Sequence, residues 1–143
     1  MTEKKTAALI LNRNLPEVAE KVRRFLLSEE DIVDVYILES GSDKDKLADN
    51  YSFYADWPNA MKNGLRYPNG MNYGLSKILE SNPDKYDSFL LLANDIIFRS
   101  ELPVAKLRET LFTTPCCGLV SPCGFDWGEK LLIKEHPKAF WHI

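Results

Sequence analysis

Short, nearly unbroken apolar runs, set between segments of helical period, constrain the fold of this chain most. Thr6 to Leu11 (TAALIL) and Ser88 to Leu92 (SFLLL) are apolar on both alternating faces. Such runs suit strands inside a parallel sheet, which are covered on both sides. Asp34 to Glu39 (DVYILE) is a further strand, and Tyr51 to Ala55 and Gly118 to Ser121 are short ones. Between them the period changes. Val18, Val22, Phe25 and Leu26 repeat at helical spacing from Pro16 to about Ser28, with Asn14 and Glu17 at capping-box spacing. A short charged helical piece follows Asp43, and Asp56 to Asn69 reads as loop. Met71, Leu75, Ile78 and Leu79 share the face of a helix that Asn69 caps and that ends near Asn82-Pro83. Leu102 to Phe112 is a further helix, and the tail after Pro122 carries no clear signal. Strands alternating with helices imply an α/β fold: a mostly parallel open sheet with helices on both faces.

Length and composition narrow the class. The 143 residues suffice for one domain with a real core, with no linker, repeat or low-complexity tract, so residues 1–143 are expected to form a single domain. A formal charge of −3 disfavours nucleic acid as a partner. No apolar run approaches the roughly 20 residues of a transmembrane helix. Ala7 to Leu11 is too short for the core of a signal peptide, so the expected location is cytoplasmic. Cys116, Cys117 and Cys123 are odd in number, which argues for reduced thiols rather than a disulfide framework. Joined with His136 they reach the ligand count of a zinc site, but adjacent cysteines rarely converge on one ion.

In open α/β sheets, ligands bind beyond the carboxyl ends of the strands. Three clusters fall there: Asn12, Arg13 and Asn14; Glu39, Ser40, Gly41, Ser42 and Asp43; and Asn94 with Asp95. The chain has no GxxxxGK[ST], no GxGxxG and no GxSxG, so it lacks the P-loop, the dinucleotide fingerprint and the nucleophile elbow. Both histidines fall in the last eight residues, leaving little material for a Ser-His or Cys-His pair. Carboxylates, amides and glycines remain, and carboxylates with a hard divalent cation are one way to hold a diphosphate. Asp95, ending an apolar strand, is the leading metal-ligand candidate; as a structural residue it would cap a turn. Glu39 can accept hydrogen bonds from a base or a ribose hydroxyl, or be a solvated turn residue. Asp43 suits an N-cap. Lys62 and Arg66 lie just upstream of Asn69-Gly70, whose amides suit an anion, or else mark a softened helix start. Trp57, Tyr51, Phe53 and Tyr54 read as core aromatics, and Trp127 and Trp141 stay unassigned.

Four motifs, in order, resemble family 2 glycosyltransferases of the GT-A fold: ALILNRNLPE, VYILESGSD, RYPNGMNYGL and YDSFLLLANDIIF. The resemblance runs from about Thr6 to Pro122. It implies binding of a nucleotide-diphospho-sugar with Mn²⁺ or Mg²⁺ and transfer of the sugar to an acceptor hydroxyl on a glycan, lipid or protein. On it, Glu39 matches the acidic residue that contacts the nucleoside, and Asp43 the Asp of the following turn. Arg66 and Asn72 lie near the diphosphate and donor sugar, and Asp95 matches the last acidic residue of the metal-binding DxD motif. Asn12, Asn14, Gly41 and Asn94 complete the expected donor site. Two departures stand out: Glu39 replaces the usual Asp, and Ala93 occupies the first acidic position of DxD. The later carboxylates Asp126, Glu129 and Glu135 match no pattern for a catalytic base. The expectation is therefore a donor-binding portion lacking the acceptor half, with the base unassigned. The alternative is a nucleotide-sugar binding or docking module of the same fold without turnover.

Overall fold

The structure is a computed structural model and describes residues 4–121. Four strands form one all-parallel sheet: β1 (Lys5–Asn12), β2 (Val33–Ser40), β3 (Phe53–Ala55) and β4 (Tyr86–Ala93), in the order β3-β2-β1-β4. The α/β architecture read from the sequence is thus present. The chain divides into two compact units, Met1–Val104 and Ala105–Ile143, and the whole sheet lies in the first.

Helices cover both faces of the sheet. On one side, α1 (Pro16–Leu26) sets Ala19, Val22 and Leu26 against Ala8 and Ile10 of β1 and Ile37 of β2. On the other, α3 (Tyr67–Ser81) sets Met71 and Ile78 against Ala7 and Leu9 of β1 and Leu38 of β2. The alternation of β1 side chains between the two clusters is the strand's own period of two. It makes the run after Thr6, AALIL, apolar throughout.

Several local expectations change. The Asn14–Glu17 capping box does not form: Leu15 is the N-cap of α1, and Asn14 takes a left-handed backbone (φ 58°) that aims its side chain elsewhere. The stretch expected as loop holds α2 (Pro58–Asn63), and α3 starts at Tyr67 rather than Asn69. Pro58 and Pro68 each sit in a first helical turn, where a missing N–H costs nothing, so they start helices rather than break them. Val18, Phe25 and Leu79, expected on core faces, are exposed, while Ala19 of α1 and Gly70 and Gly74 of α3 are buried. β4 is buried on one face only, with Phe89 and Leu91 exposed, so it is not the fully buried strand its apolar run suggests.

In the second unit, α4 (Pro103–Thr113) continues past Val104 to a turn closed by a bond from Cys117 N–H to the Thr114 carbonyl. Gly118–Ser121 forms no strand; Leu119 is exposed and offers no buried face to pair. Cys116 and Cys117 are free thiols. Cys123, His136, Asp126, Glu129, Glu135, Trp127 and Trp141 lie outside the described residues. Among the described residues, no helix is long and apolar enough to cross a membrane.

Candidate functional site

Parallel register brings the strand ends together. Asn12 is in register with Glu39, and Leu11 with Ala93, so the residues that follow β1, β2 and β4 crowd one edge of the sheet.

Glu39 is completely buried. Its Oε1 accepts from Asn12 Nδ2 at 2.9 Å and from the Ala48 amide at 2.8 Å. Its Oε2 accepts from Asn12 Nδ2 at 3.0 Å and from the Ser42 hydroxyl. A buried carboxylate needs such partners, and here they tie a loop to the sheet. The Asn14 amide donates to Ser42 Oγ at 3.1 Å, and the Asp43 amide donates to Asn14 Oδ1 at 2.7 Å. Tyr54 donates its hydroxyl to the Ser42 carbonyl at 2.7 Å. Asp43 turns outward and pairs with Lys46 at 2.8 Å; the hydrogen bond and charge of Lys46 hold its carboxyl below the ordinary value.

A second set of bonds positions the start of α3. Ser40 Oγ accepts from the Leu65 amide and donates to the Leu65 carbonyl at 3.1 Å. Arg13 reaches from the end of β1 to the Met61 and Lys62 carbonyls at 3.3 and 3.4 Å, where α2 ends. It lies against Gly64, whose φ is 67°. A cation at a helix carboxyl end is favourable.

Between these elements opens a cleft of about 370 Å³. Asn12, Asn94 and Asp95 line it from the strand ends, Arg13 and Leu15 from the loop after β1, and Gly64, Leu65, Arg66 and Tyr67 from the approach to α3. The volume falls in the range of small-molecule sites. No protein-family model, curated protein or solved structure matches the chain.

Of the residues singled out from the sequence, the structure brings Asn12, Arg13, Ser40, Arg66, Asn94 and Asp95 to the cleft. Asn14, Glu39, Gly41 and Asp43 do not line it; they form the stitched loop behind it. Asn72 is exposed one turn along α3, and Lys62 also stays off the lining. Tyr67, Leu65 and Asn63 line the cleft without having been expected. The signal for Tyr67 was Pro68: a proline after a polar stretch marks a helix start, which puts its predecessor at the helix mouth.

Asp95 is exposed, and its carboxylate bonds to no other described residue. Among the described residues, no group of three His, Cys, Asp or Glu side chains is placed to hold a metal. Any cation at Asp95 would have to take its remaining oxygens from a ligand and water. The donor set does not fit a cation held by protein alone.

Proposed function

We propose that the cleft binds a nucleotide-diphospho-sugar with Mn²⁺ or Mg²⁺, and that the chain is a cytoplasmic family 2-like glycosyltransferase domain or its donor-binding portion. The observation that carries this reading is the meeting of Asp95 and Asn94 with Arg66 in one cleft at the carboxyl ends of β1 and β4. Arg66 is the group for phosphate oxygens, which a guanidinium meets through paired hydrogen bonds. Asp95 would hold the cation, with Asn94 beside it. The chemistry such a cation supplies is neutralisation of the diphosphate, in the bound donor and on departure. Tyr67 and Leu15 add apolar surface to the cleft. In an inverting transfer, a carboxylate removes the acceptor proton as its oxygen attacks the anomeric carbon. The acceptor is then a hydroxyl of a glycan, lipid or protein.

One observation favours a second reading, donor binding without turnover: Asp95 is the sole carboxylate among the described residues lining the cleft. If Asp95 holds the cation, no described carboxylate in the cleft is left to act as base.

Calorimetry with a panel of nucleotide-sugars, with and without Mn²⁺, tests the shared core of both readings. Binding that requires Mn²⁺ and disappears in Asp95→Ala is the expected result. A folded protein that binds none of the panel overturns it. Release of nucleotide diphosphate in the presence of acceptors then separates transferase from binding module.

A further inference from the structure

We propose that Glu39, although it has no surface in the cleft, decides which atoms the cleft floor offers a ligand, acting through Asn12 on Asn94. The relay stands on geometry alone; only the identity of the ligand rests on the function proposed above.

A primary amide has donors on one side and an acceptor on the other, and its two orientations fill nearly the same space. Its neighbours choose between them. A carboxylate offers only acceptors, so Asn12 must turn Nδ2 toward Glu39, at 2.9 and 3.0 Å from the two oxygens. Asn12 Oδ1 then points away and takes the Asn94 Nδ2–H at 2.7 Å. Asn94 in turn keeps Oδ1 and its second N–H, neither of which bonds to another described residue. Asn94 and Asp95 line the cleft together. The orientation of Asn94 is therefore fixed, with Oδ1 and one N–H left beside the Asp95 carboxylate, while Arg66 offers further donors. Such a floor takes a hydroxyl or a hydrated cation.

Burial makes the choice firm. Glu39 is 0% and Asn12 1% exposed, so water does not substitute for a lost partner. The bonds from Ser42 and the Ala48 amide hold the carboxylate in place without facing Asn12. Glu39 is thus a positioning residue.

The test uses the full chain labelled with ¹³C and ¹⁵N. Scalar couplings across hydrogen bonds should join Asn94 Nδ2 to Asn12 Cγ, and Asn12 Nδ2 to Glu39 Cδ. Glu39→Gln keeps the shape but puts a donor beside Asn12. It should speed hydrogen exchange of the Asn94 amide about tenfold and weaken nucleotide-sugar binding about tenfold, the scale of one net hydrogen bond. Ser42→Ala loosens the same loop but leaves a carboxylate facing Asn12, and should leave Asn94 exchange unchanged. Equal effects of the two substitutions, or unchanged Asn94 exchange in Glu39→Gln, overturn the relay. Should Glu39→Gln not fold, the wild-type couplings decide: both present uphold it, and their absence overturns it. A wild-type chain that binds no nucleotide-sugar defeats the proposed function, while couplings and exchange still judge the relay.

Discussion

Gly74 of α3 lies so close to Leu9 of β1 that a Cβ on it would stand 2.4 Å from Leu9 Cδ2. Leu9 is fully buried, so it can give way only by displacing packed neighbours. Gly70 stands one turn earlier, where a Cβ would come 2.6 Å from Leu11 Cδ1. The two glycines thus let the helix backbone settle on the sheet. Gly74→Ala should gain about 1 kcal/mol of helix propensity and lose about 1–3 kcal/mol to overpacking. Net destabilisation is the expected outcome, read as a lower urea midpoint with an unchanged slope. A raised midpoint would mean that Leu9 has room which the packing does not reveal.

Gly41 is constrained more tightly. Its φ is 67°, and a Cβ there would stand 1.9 Å from the Ala60 carbonyl oxygen. The obstacle is backbone, not the end of a flexible side chain. The left-handed conformation costs a residue with a Cβ about 1–2 kcal/mol, and the clash must in addition push α2 away. Gly41→Ala should therefore cost about 3 kcal/mol or more, above the loss for Gly74→Ala. Thermal melts of the two variants side by side check the order.

The central strand β1 was legible because burial on both faces leaves a mark in composition, as in TAALIL; SFLLL was legible as a strand although only one of its faces is buried. The clustering of strand ends was legible too, since parallel strands must end at one edge. What failed was local. Pro58 and Pro68 look like breakers, yet they begin helices, and only the packing of Ala60 and Gly70 shows which role applies. Glu39 was noticed for its position, but not that it would be buried with Asn12, Ser42 and the Ala48 amide around it. Those partners lie 27, 3 and 9 residues away, and no local spacing encodes their convergence. Gly41 was read as a site residue because it sits in a turn after a strand. Its actual neighbour is the Ala60 carbonyl, a contact that depends on a helix the sequence did not announce.

At the opposite, amino end of the sheet, Asp34 accepts from Tyr86 at 2.8 Å and pairs with Lys85 at 2.6 Å and Lys5 at 3.4 Å. Burial alone would raise its pKa. The hydrogen bonds from Lys85 and Tyr86 and the lysine charges outweigh that, so the pKa falls below the ordinary 3.8. A carboxyl whose folded pKa is depressed contributes stability that is present above its unfolded value and is lost as pH falls through the folded one. Asp34→Asn should therefore lower the melting temperature at neutral pH and by progressively less below about pH 4. Convergence of the two melting curves in acid is the expected result. A constant gap down to pH 2 would show that the loss comes from packing rather than charge.

Arg66 makes the opposite demand, a change in binding without a change in stability. Its side chain is exposed and bonds to no other described residue, while it lines the cleft ahead of α3. Substitutions of such surface groups usually stay within about 0.5 kcal/mol of neutral. Arg66→Ala should therefore melt like the wild type. If Arg66 meets the diphosphate, its loss removes a charge-assisted contact worth about 1.5–3 kcal/mol, or roughly tenfold to a hundredfold in affinity. Arg66→Lys keeps the charge but not the paired geometry, so it should fall between the two. The gap between wild type and Arg66→Ala should narrow as salt rises from about 0.05 to 0.5 M, because the contact is partly open to solvent. Titration of a nucleotide-sugar against the three proteins at both salt concentrations checks all of this. Equal affinities in low salt would move the phosphate away from Arg66 and leave Arg13 as the other cleft cation among the described residues.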